Sequence, residues 1–278
     1  MIHVTKKNKS AIQRRLIPTY IFLIIVSFIS VFPLYWMISA ATNTSTDVSR
    51  GRIIPGSHFM ENFRNLTAQQ PLWRALGNSF FYAILTTVIC LLICSIAGYG
   101  FEVYHDKGKD LLMSILLLAM MLPFVALMIP LFTMFSKMGL VNSWMALVLP
   151  SISTPFMIML FRQASRSFPV DIIEASRLEG MSEISIFFRM YIPVMKSTYG
   201  AAMTVTFMNA WNNYLWPKVI LQNNESITMP MLVANLKSGY SVDYGMLMLG
   251  VLICTLPTAV IFFCLQKSFS NGLTGAVK

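Results

Sequence analysis

A group of uncharged polar and aromatic residues interrupts the apolar sequence between residues 199 and 221. Amides and hydroxyls form directed hydrogen bonds with the hydroxyls of a polyhydroxy solute, and aromatic rings pack against its C–H faces. We therefore predict a path for a neutral solute here, with Asn209 near its middle. The residues predicted to line this path are Asn209, Trp211, Asn212, Asn213 and Tyr214, and the same group includes Thr204, Thr206 and Trp216.

A structural role is the alternative for these residues. Trp and Tyr gather where a membrane meets water, so Trp211, Tyr214 and Trp216 could form an interfacial belt. Asn side chains also form hydrogen bonds between membrane helices. The sequence leaves both interpretations open.

The sequence offers no constellation for catalysis or for metal binding. The three histidines, His3, His58 and His105, lie far apart. The pair Gly108-Lys109 is followed by Asp110 and not by the Ser or Thr of a phosphate-binding loop. We therefore predict that this chain is not an enzyme and holds no cofactor and no metal.

The longest charged interruption between two apolar blocks runs from Asp171 to Pro193. Asp171 predicts a helix start, with Glu174 completing a reciprocal cap, and this helix should end near Leu178. Gly180 predicts a turn after it. Glu174 could also be only a cap and Gly180 only a turn.

A second, amphipathic helix is predicted between the turn and Pro193. Its apolar residues recur at i, i+3, i+4 and i+7, at Ile184, Phe187, Phe188 and Tyr191. The resulting helix–turn–helix is too short and too charged to cross a bilayer. It must therefore lie against another surface.

The rest of the chain is organised by long apolar runs. Hydrophobic residues make up 56% of the 278 residues and charged residues only 12%, which is typical of an integral membrane protein and not of a soluble domain. Six runs are about long enough to cross a bilayer as helices. They are Leu16–Ala41, Ser79–Phe101, Leu111–Ser136, Trp144–Phe161, Tyr199–Leu221 and Gly245–Leu265.

The interiors of these runs disfavour ion-coupled transport. They contain no Asp, Glu, Lys, Arg or His, whereas proton relays need ionisable residues at membrane depth. The four cysteines lie within apolar runs, which predicts packing as small apolar side chains and not a disulfide framework.

The distribution of basic residues predicts the topology. Lys and Arg are about twice as frequent on the side that holds both termini, which places the termini and the charged stretch in the cytoplasm. The same distribution explains the net charge of +10 without a nucleic-acid partner. We expect a basic tail at 1–15, a six-span domain at 16–270 with the helix–turn–helix in a loop at 168–195, and a tail at 271–278. The long outer loops 42–78 and 222–244 suit contact with an extracytoplasmic partner.

Several motifs together resemble the membrane permeases of bacterial ABC importers, in the maltose-permease-like branch that imports carbohydrates. Glu174-Ala175-Ser176, Gly180 and Met190-Tyr191-Ile192-Pro193 resemble the cytoplasmic EAA loop of that family, with Ser176, Met190 and Ile192 as mild departures. The remaining motifs are Asn78-Ser79, Pro150, Thr154-Pro155-Phe156, Phe161-Arg162-Gln163, residues 211–217 and residues 272–277. The terminal run is one small residue shorter than is usual in the family.

The resemblance implies an all-α fold of six transmembrane helices, the type I permease fold, in a bacterial cell membrane. It also implies three partners: a second permease in a heterodimer, a cytoplasmic ATPase dimer that binds ATP and Mg²⁺, and an external sugar-binding protein. The loop would couple to the ATPase through Glu174, Ala175, Ser176, Gly180, Ile192 and Pro193. A permease for another neutral solute, such as a polyol or glycerol phosphate, is the alternative, and an ion-coupled secondary carrier is a further one.

Overall fold

The computed structural model describes residues 6–238 and 242–275, with side chains over 17–238 and 242–266. All regular secondary structure in these ranges is helical. The helices before the charged stretch are α1 Lys6–Ala41, α2 Ser45–Ser49, α3 Phe59–Gln69, α4 Leu72–Val103, α5 Lys107–Ala119, α6 Phe124–Lys137, α7 Trp144–Val148 and α8 Pro155–Ser165. Those that follow are α9 Val170–Leu178, α10 Glu183–Ile186, α11 Ile192–Val194, α12 Lys196–Trp211, α13 Leu215–Ile220, α14 Met229–Lys237 and α15 Tyr244–Gly275.

Three short segments complete the helical structure. Residues Leu149–Ser151 and Asn224–Ser226 form 3₁₀ turns. Residues Phe187–Tyr191 form a π-helix between α10 and α11, in which the N–H of Ile192 donates to the carbonyl of Phe187, five residues earlier. A π turn is wider than an α turn and therefore changes which side chains share a face.

Three of the six predicted spans are single long apolar helices. They are Ile17–Ala41, Leu72–Val103 and Tyr244–Gln266. Two further predicted spans correspond to bent helix pairs, with a bend of 98° between α5 and α6 and of 46° between Trp144–Ser151 and Pro155–Ser165. Pro123 lies within the first break, and Pro155 directly follows the second. The missing N–H of a proline interrupts a helix at such positions.

The remaining predicted span, Tyr199–Leu221, is also divided. Helix α12 ends at Trp211, and α13 begins at Leu215 after a break of three residues. The two ends of the chain depart from the expected tails, because α1 begins at Lys6 and α15 continues to Gly275. Residues 1–5 and 276–278 of the expected tails lie outside the described residues.

The first of two compact units comprises residues 1–69 and 236–253. Asn62 organises it, since its amide donates to the carbonyls of Ala41 and Asn43 at 2.9 and 3.0 Å. Gly245 packs so closely here that a Cβ would lie 2.5 Å from the carbonyl oxygen of Asn43. The segment after α1 is therefore ordered by contacts within this unit and is not a bare linker.

The second unit comprises residues 70–235 and 254–278, and α4 packs against α8 and α12 within it. The contact with α8 is close, because a Cβ on Gly98 would lie 2.6 Å from the Cβ of Phe161. Cys90 and Cys94 are buried in this core as free thiols, as predicted. Cys264 departs from that prediction because its side chain is exposed on α15.

Candidate functional site

A cavity of about 620 Å³ lies within the second unit, beside the break between α12 and α13. The residues that line it come from α4, from the start of α6, from the segment that joins α7 to α8, from the start of α8, and from 206–215. In the described part of the chain no charged residue lines it. Its polar lining residues are Thr86, Ser151, Thr154, Thr206, Asn209, Asn212, Asn213 and Tyr214.

The break after α12 places the amides at the cavity. Helix α12 ends with the N–H of Asn212 donating to the carbonyl of Met208 at 3.0 Å. Asn213 and Tyr214 follow outside the helix. Irregular backbone within a membrane span is stable where it is buried in protein or lines a polar cavity. The break therefore places the side chains of Asn212, Asn213 and Tyr214, which can form hydrogen bonds, at the cavity within an otherwise apolar segment.

Four of the five predicted path residues line this cavity, and Trp211 does not. The indole N–H of Trp211 donates to the carbonyl of Cys254 at 2.9 Å, and its ring stacks on Phe207 with centroids 5.8 Å apart. Trp211 is fully buried and joins α12 to α15. The indole N–H of Trp211 is thus used within the fold, and the assignment of Trp211 to the path stays a prediction.

Two other members of the predicted polar group also have structural contacts. The hydroxyl of Thr204 donates to the carbonyl of Gly200 within α12 at 2.8 Å. The indole N–H of Trp216 donates to the carbonyl of Ala146 at 3.0 Å, and Trp216 is buried. An interfacial belt predicts exposed rings, so neither Trp211 nor Trp216 belongs to one.

The charged stretch forms the predicted helix–turn–helix. Helix α9 is followed by Gly180 with a φ of +77°, a left-handed conformation that favours glycine, and then by α10. The predicted cap at Asp171 is wrong, because the N-cap is Pro169 and Asp171 lies in the first turn without capping it. Pro169 has no side-chain acceptor, so the first-turn N–H groups of α9 receive no side-chain cap from it.

The buried face of the second helix differs from the predicted one. Phe187 and Tyr191 are buried as expected, and Ile186 is buried with them. Ile184 is 72% exposed and Phe188 is 49% exposed, so both lie outside the predicted face. The period of 3.6 residues that predicted this face does not hold across the π-helix at 187–191.

An aromatic cluster packs this second helix against α4 and Phe168 within the second unit. The ring centroid of Tyr191 lies 4.8 Å from that of Tyr99 on α4 and 5.4 Å from that of Phe168. The hydroxyls of Tyr191 and Ser165 share a hydrogen bond of 2.7 Å. The predicted requirement that the helix–turn–helix lie against another surface is therefore met by α4 and by the residues after α8.

The six predicted coupling residues divide between exposed and supporting positions. Glu174, Ala175, Gly180 and Pro193 are exposed. Ser176 is buried, and its hydroxyl donates to the carbonyl of Ile172 at 2.7 Å. Ile192 is half-buried. The four exposed residues are not buried by other parts of this chain and are accessible to a partner protein.

Arg162 is a buried charge that the sequence prediction missed. The predicted span ended at Phe161, but α8 continues to Ser165 and leaves Arg162 only 5% exposed. Its guanidinium pairs with Glu102 at 3.3 Å and with Asp110. These contacts join the ends of α4, α5 and α8. The pairing was not visible in the sequence, because the partners lie 60 and 52 residues away.

A second polar cluster joins the end of α4 to the turn. The hydroxyl of Tyr104 donates to Glu183 at 2.5 Å, and the guanidinium of Arg177 donates to the same carboxylate at 2.7 Å. The Arg177 bond, and then the Tyr104 bond, hold the pKa of Glu183 below its usual value. The carboxylate in turn raises the pKa of Arg177.

Comparison with known proteins places the chain among transport proteins. Residues 95–275 match the family model described as "binding-protein-dependent transport system inner membrane component". The chain is 41% identical to the lactose transport system permease protein LacG of Rhizobium radiobacter, over 97% of this chain and 99% of the relative. It is 33% identical to the arabinooligosaccharides transport system permease protein AraQ of Bacillus subtilis, over 93% and 94%.

A solved structure has the same fold. It belongs to a bacterial ABC transporter involved in the import of the acidic polysaccharide alginate, with a TM-score of 0.82 over 96% of this chain and 99% of that one. The sequences are 18% identical, so this likeness concerns the fold alone.

Proposed function

The chain belongs to the family of inner membrane components of binding-protein-dependent transport systems, and we propose that it imports a neutral sugar or oligosaccharide. It is a permease subunit of an ABC importer with an all-α membrane fold. The single observation that carries the sugar proposal is the uncharged cavity beside α12, with four amide or phenol side chains from residues 209–214.

The cavity has the chemistry that a sugar requires. Asn209, Asn212 and Asn213 each offer both hydrogen-bond donors and acceptors, which match the hydroxyls of a sugar. The rings of Tyr214 and Phe124 offer apolar surface for its C–H faces. A phosphorylated solute would need compensating positive charge, and the described lining has none, so the glycerol phosphate alternative is not favoured.

The partners in this proposal are a second permease, a cytoplasmic ATPase dimer and an external binding protein. The fold likeness and the family description support an assembly of this kind. In this proposal ATP and Mg²⁺ bind to the ATPase, and both termini of this chain lie in the cytoplasm. The excess of basic residues on that side supports the orientation.

Coupling is assigned to the helix–turn–helix, with Glu174, Ala175, Gly180 and Pro193 facing the ATPase. Their exposure supports this assignment. Ser176, which is buried, and Ile192, which is half-buried, support these exposed residues from behind. ATP-driven closure of the ATPase would then move the loop and, through it, the helices that carry the cavity.

Uptake by the reconstituted complex tests the proposal. The purified permease pair with its ATPase and binding protein is placed in vesicles, and accumulation of labelled neutral oligosaccharides is measured with and without ATP. ATP-dependent accumulation of a neutral sugar is expected. Accumulation driven by a proton gradient without the ATPase, or ATP-dependent transport of charged solutes only, would contradict it.

A further inference from the structure

Three side chains meet where the end of α4 approaches the turn of the helix–turn–helix. Tyr104 follows α4, Arg177 lies in the last turn of α9, and Glu183 lies in the first turn of α10. Glu183 accepts hydrogen bonds from both other residues, and the Arg177 guanidinium lies 6.0 Å from the centroid of the Tyr104 ring. Each member of this Tyr104–Arg177–Glu183 cluster therefore contacts the other two.

The cluster has two mechanical consequences. The Arg177–Glu183 ion pair spans Gly180 and closes the turn between α9 and α10. The Tyr104 hydroxyl then attaches the closed turn to α4, across 79 residues of sequence. A displacement of the turn is thereby resisted at the end of α4.

The surrounding packing gives this attachment a particular importance. A cavity of about 210 Å³ lies between α4 and the second loop helix, with Ile96 and Gly100 on one side and Ile184 and Phe188 on the other. Tyr99 and Phe187 also line this cavity and contact each other, with ring centroids 5.4 Å apart. Close to the turn, α4 and the second loop helix are therefore held together by the polar cluster and not by close apolar packing.

Helix α4 extends from this cluster to the solute cavity. Thr86 and Cys90 on α4 line the cavity of about 620 Å³, and Tyr104 follows the last residue of the same helix. The 14 residues from Cys90 to Tyr104 span about 21 Å at the helical rise. A force applied at Tyr104 is therefore carried along one continuous helix to the cavity wall.

We propose that Tyr104, Arg177 and Glu183 are positioning residues that transmit movement of the helix–turn–helix to α4 and so to the cavity. The inference rests on the proposed function, because it requires that the loop be driven by an ATPase. The three side chains are partly exposed, and exposed ion pairs stabilise folded proteins only slightly. Their loss should therefore uncouple transport from ATP hydrolysis without unfolding the permease.

The test uses the whole complex in vesicles and measures sugar transported per ATP hydrolysed. Tyr104→Phe removes only the hydroxyl, and Glu183→Ala removes the shared acceptor. Glu183→Gln retains a carbonyl oxygen that can accept from both partners. As a control, Arg166→Gln removes the exposed partner of another ion pair, that of Arg166 with Glu102 at 3.5 Å, and leaves the pairing of Glu102 with Arg162 in place.

We expect Tyr104→Phe and Glu183→Ala to lower the ratio of transport to hydrolysis by about two- to five-fold, while the ATPase still copurifies. Glu183→Gln should restore much of that ratio, and Arg166→Gln should leave it unchanged. An unchanged ratio in Glu183→Ala overturns the inference, and so does a loss of transport that matches a loss of assembled complex. The wild-type complex separates the two proposals, because the proposed function fails if the wild type itself shows no ATP-dependent uptake of a neutral sugar, whatever the variants do.

Discussion

Replacing Gly180 should weaken docking of the ATPase through the backbone of the turn. Gly180 has a φ of +77°, and a Cβ added there would meet nothing within 4 Å. An alanine would therefore cause no clash with its surroundings, and its cost would be conformational. Holding a residue with a Cβ in the left-handed region costs about 1–2 kcal/mol. If docking requires this turn, the affinity for the ATPase should fall by about 5- to 30-fold.

Two further variants isolate this cause. Asn tolerates the left-handed region better than Ala, so Gly180→Asn should bind the ATPase more tightly than Gly180→Ala. Gly77 offers a matched control, because a Cβ there also meets nothing within 4 Å but its φ is not positive. Gly77→Ala should leave ATPase affinity unchanged, since Ala is favoured over Gly within a helix.

The assay is titration of the purified permease pair with the ATPase, followed by uptake in vesicles. All variants should insert into the membrane at the level of the wild type. Wild-type affinity in Gly180→Ala would refute the docking role of this turn. Equal weakening in Gly180→Ala and Gly180→Asn would show that any side chain blocks the interface, and the conformational reasoning would be wrong.

Three other experiments address the cavity, the topology and the turn. Asn209→Leu should lower uptake per assembled complex several-fold, because a lost hydrogen bond costs about 0.5–1.5 kcal/mol; reduced assembly with unchanged uptake per complex would instead show that Asn209 holds helices together. In a background without the four native cysteines, Ser182→Cys should react with impermeant reagents only from the cytoplasm and Ser57→Cys only from outside, and reversed labelling would contradict the topology. Because the pKa of Glu183 lies below its ordinary value of 4.5, its stabilisation of the turn is present above that pH and is lost as the pH falls through the lowered pKa. Hydrogen exchange at residues 171–193, corrected for intrinsic rates, should show this loss in the wild type and not in Glu183→Gln.

The apolar runs predicted the helices well, because the thickness of a bilayer imposes a minimum length on a span. They did not predict the breaks. The chain leaves the α-helix at Asn212, although the run is uncharged from Tyr199 as far as Pro217. Whether a helix continues there depends on neighbouring helices that satisfy the freed backbone groups, and this information is not local.

The site was predictable to the extent that it depends on local sequence. Gly180 predicted a turn because few other residues adopt its backbone conformation. Counting along the segment drew attention to Asn209, which lines the cavity, and its role on the path stays a prediction. The hydrogen bond of the Trp211 indole was not predictable, because its partner lies 43 residues away. Ile184 and Phe188 were misplaced, because the π-helix changes the period of the buried face.

The buried charge at Arg162 bears on how a movement of the loop would reach the cavity. A buried guanidinium that lost a partner would be strongly destabilising, so the contacts with Glu102 and Asp110 should persist during transport. Gly98 adds a steric constraint, since α4 and α8 approach there without space for a Cβ. Helices α4 and α8 should therefore move as one body. The lining residues that they carry, including Thr86 and Met157, would shift together when the loop is displaced.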